Sequence, residues 1–351
     1  MHLAYNMKIL FGSYSAISVL GGGTKVQMDS LKRCLEKLGH EIETFNPGKD
    51  YNLKEYDLFH LFGAHIGTYH FGRAMHNLGI KMIVTPVFYS RRNSTQLRWL
   101  TNLAKGFRFL GGIWTEHLFT KELCEMAAIV TPNTQQEANL LVEGLGVSKE
   151  KIRNLPNGVE ERFYNADPKP FVEKYQLKDF ILYVGHIGWP RKNLLYLIKA
   201  LARIDHPVVF IGPVLENDYA KICLAEAKKN KKMLIIPGVP SDSEILVSAY
   251  AACDVFILPS FYETPGLAAL EAGLAGAKIV ITKYGGTDEY FGKFSEYVEP
   301  RNIQSIILGI DKALNKKKDK SLAEHIRTNF LWEKAAHKLV EIYQAAKNIG
   351  R

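Results

Sequence analysis

The sequence predicts an α/β protein built from two Rossmann-like, doubly wound domains. Three observations predict it. Short β-rich runs alternate with amphipathic helical stretches, the pattern of parallel sheets covered by helices on both faces. The alternation restarts after a polar, proline-containing segment at residues 165–171. The length, 351 residues, suits two domains of ordinary size.

The first strand is expected at residues 8–11, after a loose leader at residues 1–6. A glycine loop, Gly21-Gly-Gly-Thr24, leads into a helix. There Leu31, Cys34, Leu35 and Leu38 follow the i, i+3, i+4, i+7 stripe, and Gly39 ends it. Further strands are expected at 41–45, 57–62, 80–85, 128–131 and 152–155. The second half places strands at 181–185, 208–212, 233–237, 254–258 and 278–282. A last helix over 331–348 carries Trp332, Ala336, Leu339, Ile342 and Tyr343 on one face. The expected boundaries are residues 1–165, residues 166–325, and a C-terminal helix within 326–351 that packs back on the first domain.

Apolar residues make up 47% and charged residues 23%, ordinary values for a globular protein with real cores. The net charge of +9 suggests an anionic partner: a nucleotide phosphate, a nucleic acid or an acidic membrane surface. Dense Lys/Arg and aromatic patterning of dedicated nucleic-acid readers is missing, so no nucleic acid is expected. The four cysteines (Cys34, Cys124, Cys223, Cys253) lack metal-ligand spacing and read as free thiols in a reducing compartment. Serines and a tyrosine interrupt the apolar run after Lys8, which argues against a signal peptide. No run of 18 apolar residues occurs. A cytoplasmic location follows as an expectation.

The chemistry concentrates in residues 259–272, after the buried strand at 254–258. The carboxyl end of a strand is where open α/β sheets place ligands. Thr264 is expected as N-cap with Pro265 at the first helical position, the helix running over 265–275. Amides of Gly266 and Leu267 then lie in the first turn, where unpaired N–H groups and the helix dipole suit a diphosphate. Glu263 stands before the helix and Glu271 within it. A carboxylate is a double acceptor suited to paired sugar hydroxyls, so one glutamate can hold a ribose diol and the other the transferred sugar.

A second strand-to-helix loop, residues 185–193, bears His186, Arg191 and Lys192, with Asn193 read as an N-cap. Cations beside a diphosphate stabilise it as it departs. In the first domain, Gly22 and Gly23 let backbone approach a phosphate or sugar closely. The G-x-G-x-x-G dinucleotide fingerprint is missing there, which disfavours a dehydrogenase.

Residues 263–272, Glu-Thr-Pro-Gly-Leu-Ala-Ala-Leu-Glu-Ala, resemble the E-x7-E signature of retaining GT-B-fold glycosyltransferases of family four, the glycosyl transferases group 1. Residues 128–137, the Pro-Asn-Gly-Val turn at 156–159 and Gly285-Gly-Thr-Asp-Glu289 are similar to the same family. The resemblance implies two domains facing across a cleft, with Glu263 on the donor sugar and Glu271 on the ribose. Backbone near Gly266 and Leu267 would meet the phosphates, with Thr264 and Pro265 beside them and Gly22 and Gly23 beneath. The family's G-R-x5-K pattern departs here: Lys192 matches the lysine, but His186 stands where arginine is expected. Lys192 is ranked first as the cation, Arg191 second and a protonated His186 third. The family's histidine after the strand at 80–85 is also missing; His60 and His65 are read as structural. There is no D-x-D motif, so no metal is expected.

The resemblance implies retaining transfer of a sugar from a nucleotide-diphosphate sugar, UDP or GDP, to a glycan, lipid-linked or other hydroxyl acceptor. Cell-surface polysaccharide or glycolipid synthesis is the expected setting. A nucleotide-sugar epimerase on the same fold and a noncatalytic nucleic-acid-binding protein are the alternatives. Residues 89–114 add a stripe of Leu97, Leu100, Leu103, Ala104, Phe107 and Leu110 among Arg91, Arg92, Arg98, Lys105 and Arg108, with Trp99 and Trp114 nearby. It either rests peripherally on the inner face of an anionic membrane or packs on the first domain's own sheet.

Overall fold

A computed structural model describes residues 6–106, 115–240 and 242–349. The chain divides into two compact units: Met1–Gly158 with Trp332–Arg351, and Val159–Leu331.

The first unit runs β1 (Lys8–Gly12), a short α1 (Ile17–Leu20), α2 (Gly23–Lys37), β2 (Glu41–Thr44), β3 (Leu58–Phe62), α3 (Ile66–Asn77), β4 (Met82–Thr85), α4 (Ser94–Gly106), α5 (Glu116–Met126), β5 (Ile129–Val130) and α6 (Gln135–Asn139). Its sheet is parallel, ordered β2-β1-β3-β4-β5. The order reverses between β1 and β3, the position where doubly wound sheets open a crevice. All five residues of β3 are buried, as a central parallel strand covered on both faces requires.

The second unit runs α7 (Lys169–Tyr175), β6 (Ile181–Val184), α8 (Leu194–Leu201), β7 (Val208–Ile211), α9 (Asp218–Ala227), β8 (Met233–Ile236), α10 (Glu244–Ala252), β9 (Val255–Leu258), α11 (Leu267–Leu274), β10 (Lys278–Thr282), α12 (Asp288–Phe291), β11 (Glu296–Val298), α13 (Ile303–Asn315) and α14 (Ser321–Asn329). The parallel sheet is ordered β11-β10-β9-β6-β7-β8. Here the order reverses between β6 and β9, so their carboxyl ends mark the switch point.

The last helix, α15 (Trp332–Asn348), belongs to the first unit and packs on α2. Tyr343 Oη lies 2.7 Å from Nδ1 of the buried His60, whose Nε2 lies 2.8 Å from Thr85 Oγ1. Lys347 Nζ meets Asp57 at 2.6 Å.

Several expectations shift. The units divide at Gly158/Val159 rather than at 165, and the returning helix starts at Trp332 rather than near 326. The reason is local: Val159 N donates to Phe330 O at 2.8 Å, tying residues 159–165 to the second unit. The strand expected at 152–155 reduces to one bridge between Ile152 and Val130. The edge strand β11 was not foreseen; three residues are too few to show an alternation. Phe107, Arg108, Leu110 and Trp114 of the expected stripe lie outside the described residues. Leu97 and Ala104 of that stripe are buried within the unit, whereas Trp99 and Leu103 are exposed. Among the described residues, no helix is long and apolar enough to cross a membrane. The four cysteines are buried and form no disulfide.

Candidate functional site

The loops that leave β6 and β9 meet at the switch point of the second sheet. After β6 the chain makes a 3-10 turn, Pro190–Lys192, and enters α8 through Asn193. After β9 it runs through residues 259–266 into α11. Phe261 N donates to Arg191 O at 2.9 Å, and Arg191 Nη1 donates to Tyr262 O at 2.9 Å. The Arg191 guanidinium also lies 4.9 Å from the centre of the Tyr262 ring. These contacts lock the two loops into one frame.

Asn193 completes the lock in a way the sequence did not reveal. It stands at the N-cap position of α8, but its side chain caps nothing there. Instead Nδ2 donates to Pro259 O at 3.0 Å and to Pro300 O at 2.6 Å. Its φ of 58° is left-handed, which asparagine tolerates better than most residues.

Glu263 is 5% exposed, and its Oε1 accepts from Lys192 Nζ at 2.6 Å. Arg191 Nη1 lies 3.5 Å from the same oxygen. Burial alone would raise the Glu263 carboxyl, but the Lys192 ammonium and Arg191 guanidinium hold it below its ordinary value. Its backbone is fixed from below: Glu263 N donates to Tyr284 O at 3.0 Å. A β-carbon on Gly285 would sit 2.1 Å from Glu263 O, at a φ of 99°. Only glycine fits that approach.

The helix begins later than expected. Gly266 is the N-cap, with a left-handed φ of 91°, and α11 starts at Leu267. Thr264 and Pro265 therefore lie in the loop rather than at the cap and first helical position. Gly266 can take this φ where threonine would be strained. Its carbonyl accepts from Ala269 N at 2.9 Å and Leu270 N at 3.2 Å, so the opening amides ahead of them belong to Leu267 and Ala268. Leu267, Ala268 and Glu271 are only partly buried, while Ala269, Leu270, Ala272 and Gly273 are buried. The helix start and Glu271 thus share its accessible face. Glu271 Oε2 accepts from Tyr250 Oη at 2.7 Å, and burial raises the Glu271 carboxyl to about 7.

His186 stacks on Trp189, ring centres 4.2 Å apart and 9° from parallel. Burial, and then the neighbouring Lys192 charge, lower its pKa. That shift works against the protonated form in which His186 was expected as the third cation. Gly22 and Gly23 belong to the first unit, Gly22 as the N-cap of α2 and Gly23 as its first residue. His65 caps α3, accepting from Gly67 N at 3.1 Å, and has a structural role as His60 does.

The arrangement sets the start of α11, an ion-paired lysine and two carboxylates around one sheet opening. Residues 167–330 match the family model for glycosyl transferases group 1. The uncharacterized glycosyltransferase MJ1607 of Methanocaldococcus jannaschii is 25% identical over 254 residues, covering 66% of this chain and 62% of that protein. The serotype-specific mannosyltransferase WbdA of Escherichia coli is 28% identical over 256 residues, covering 67% of this chain and 31% of WbdA. The chain therefore spans less than two thirds of the length of these relatives. Among solved structures, Anabaena Alr3699/HepE in complex with UDP and glucose is similar with a TM-score of 0.71 at 19% identity, covering 97% of this chain and 100% of that one. That likeness speaks for the fold, two Rossmann-like domains of GT-B type. With that fold, residues 167–330 carry the domain of the glycosyl transferases group 1 family, and about two thirds of the chain is similar to glycosyltransferases.

Proposed function

We propose that the chain transfers a sugar, with retention, from a UDP- or GDP-sugar to a hydroxyl acceptor on a glycan or a lipid-linked glycan. The proposal rests above all on the convergence of Lys192, Glu263 and the start of α11 at one switch point. A relative named as a mannosyltransferase and a similar structure holding UDP and glucose support it. Glu271 holds the ribose diol and Glu263 the hydroxyls of the departing sugar. Amides of Leu267 and Ala268 receive the diphosphate, with Thr264, Pro265 and Gly266 lining the approach. As the glycosidic bond breaks, charge grows on the diphosphate; the helix amides and Lys192 meet that charge without a metal. Arg191 holds the loop that carries Lys192. Retention follows when the acceptor oxygen attacks from the face the diphosphate leaves, and the leaving phosphate takes the acceptor proton.

The acceptor is assigned to a cavity of about 750 Å3 in the first unit, at the carboxyl ends of β1 and β2. Ser13, Tyr14, Lys25, Asp29, Phe45 and His70 are among its lining residues, aromatic faces for a sugar ring beside groups that pair with hydroxyls. Gly22 and Gly23 stand nearby in sequence at the start of α2.

Membrane-linked polysaccharide or glycolipid synthesis on the cytoplasmic side is the proposed setting. Trp99 is 68% and Leu103 44% exposed on α4, one and two turns beyond the exposed Gln96. With exposed Arg91 and Arg92 just before the helix, they form an interfacial face for anionic lipid. Co-sedimentation with vesicles containing phosphatidylglycerol, lost in Trp99→Ser/Leu103→Ser, tests this part. For the reaction itself, products from UDP- and GDP-sugars with lipid-linked acceptors are analysed for a new glycosidic bond and its anomeric form. An epimerised donor formed without acceptor would overturn the transfer assignment.

A further inference from the structure

Tyr250 is hydrogen-bonded to Glu271, and nothing in the transfer scheme uses it. It is fully buried on α10. The ring of Phe163 meets it edge-on at 5.7 Å, and that of Phe256 lies at 5.9 Å. The helix itself is anchored: Ser243 caps it, and Ser248 Oγ accepts from Phe171 N at 2.9 Å. A buried phenol requires a partner for its hydroxyl. Tyr250 has one in Glu271, donating to Oε2 at 2.7 Å.

We propose that Tyr250 is a positioning residue for nucleotide recognition: its hydroxyl pins Oε2 of Glu271, so that the carboxylate presents Oε1 to the ribose diol. This rests on the assignment of Glu271 to the ribose made above. Without the hydroxyl, the carboxylate could turn about its last bond and would lose a donor that favours its ionised form. Burial raises the Glu271 carboxyl to about 7, the hydrogen bond from Tyr250 and the charge of Arg162 pull it down, and Glu160 pushes it up. Those three groups, Tyr250 on α10, Arg162 within the 3-10 turn Glu161–Phe163 and Glu160 just before it, are the charged and titratable groups acting on it. Burial and Glu271 itself push the phenol pKa well above the ordinary range, so Tyr250 remains a donor throughout. An ionised carboxylate accepts from both ribose hydroxyls, whereas a protonated one gives up part of that capacity.

The test is calorimetric titration with UDP and GDP, and with their 2′-deoxy forms, between pH 5.5 and 9. Wild type, Tyr250→Phe and Glu271→Ala are compared. The accepted ribonucleotide should bind wild type more tightly as pH rises through about 7. In Tyr250→Phe that rise moves to higher pH. Affinity at pH 7 falls about three- to tenfold and recovers toward wild type at pH 9. The 2′-deoxy form shows a much smaller difference between the two proteins. A Tyr250→Phe protein with the wild-type pH profile overturns the positioning role. So does an equal loss for ribo and deoxy forms at every pH, the signature of mere structural damage. If Glu271→Ala binds the ribonucleotide as wild type does, the ribose assignment itself fails. Should Tyr250→Phe not fold, 3-fluorotyrosine at position 250 keeps the ring and strengthens the donor. The step then moves to lower pH, and an unmoved step overturns the proposal.

Discussion

Lys192 Nζ stands 2.6 Å from Oε1 of Glu263, an ion pair that joins the loop after β6 to the loop after β9. Glu263 is 5% exposed, so removing its partner strands a buried charge. Lys192→Ala should therefore destabilise the second unit by roughly 2–4 kcal/mol, with Arg191 offsetting part of the loss. Lys192→Met with Glu263→Gln should cost clearly less than the two single changes added together. Urea unfolding of the three variants checks this. Turnover should fall by about two to three orders of magnitude in Lys192→Ala, because the developing charge on the diphosphate loses its ammonium.

Asn193 separates backbone strain from side-chain bonding. Asn193→Gly keeps the left-handed φ of 58° but loses the bonds to Pro259 O and Pro300 O, at a cost of about 1–3 kcal/mol. Asn193→Ala loses the same bonds and adds about 1 kcal/mol or more of strain. Stability should fall in the order wild type, Gly, Ala. An alanine variant as stable as the glycine variant would show that the backbone is free to change.

Glu271 should couple binding to stability with opposite signs. Its folded pKa, about 7, is raised above the ordinary 4.5. The native state thus binds more protons, and its stability from this group is full below 4.5 and lost as pH rises through 7. Glu271→Gln should be the more stable protein at pH 8, by roughly 1–3 kcal/mol, and the gap should close as pH falls toward 4.5. Thermal midpoints across that range, without nucleotide, give the answer. The same variant should bind nucleotide more weakly.

The His60 cluster gives the reverse sign in the first unit. Burial lowers the His60 imidazole from 6.5 to about 3. Its contribution is full above 6.5 and is lost as pH falls toward 3. Tyr343→Phe removes a partner at 2.7 Å and should cost about 1–3 kcal/mol. His60→Gln should flatten the acid limb of the stability curve while leaving nucleotide binding intact.

Much of this organisation was legible in residue order. The strand and helix alternation gave both sheets, because parallel strands such as β3 and β9 are continuous apolar runs bounded by turn residues. That Glu263, Glu271 and Lys192 follow the carboxyl ends of β6 and β9 was legible in the sequence, and the family resemblance singled them out as candidates. The helix start at Leu267 was not. Thr264-Pro265 is a common opening pair, and only the left-handed Gly266 shows that the chain turns once more first. Neither was the clamp of Asn193 on Pro259 and Pro300, nor the bond from Tyr250 to Glu271. Those contacts link residues 21 to 107 positions apart, a distance at which local pattern carries no signal.

The central claim is that the loops after β6 and β9 hold a nucleotide-diphosphate sugar. Thermal unfolding against a panel of UDP-, GDP- and ADP-sugars tests it most directly. One UDP- or GDP-sugar series should stabilise the protein, by about 2.7 kcal/mol at a hundredfold excess over its dissociation constant, and Glu271→Ala should abolish the effect. No shift with any nucleotide sugar, or an undiminished shift in Glu271→Ala, would contradict it.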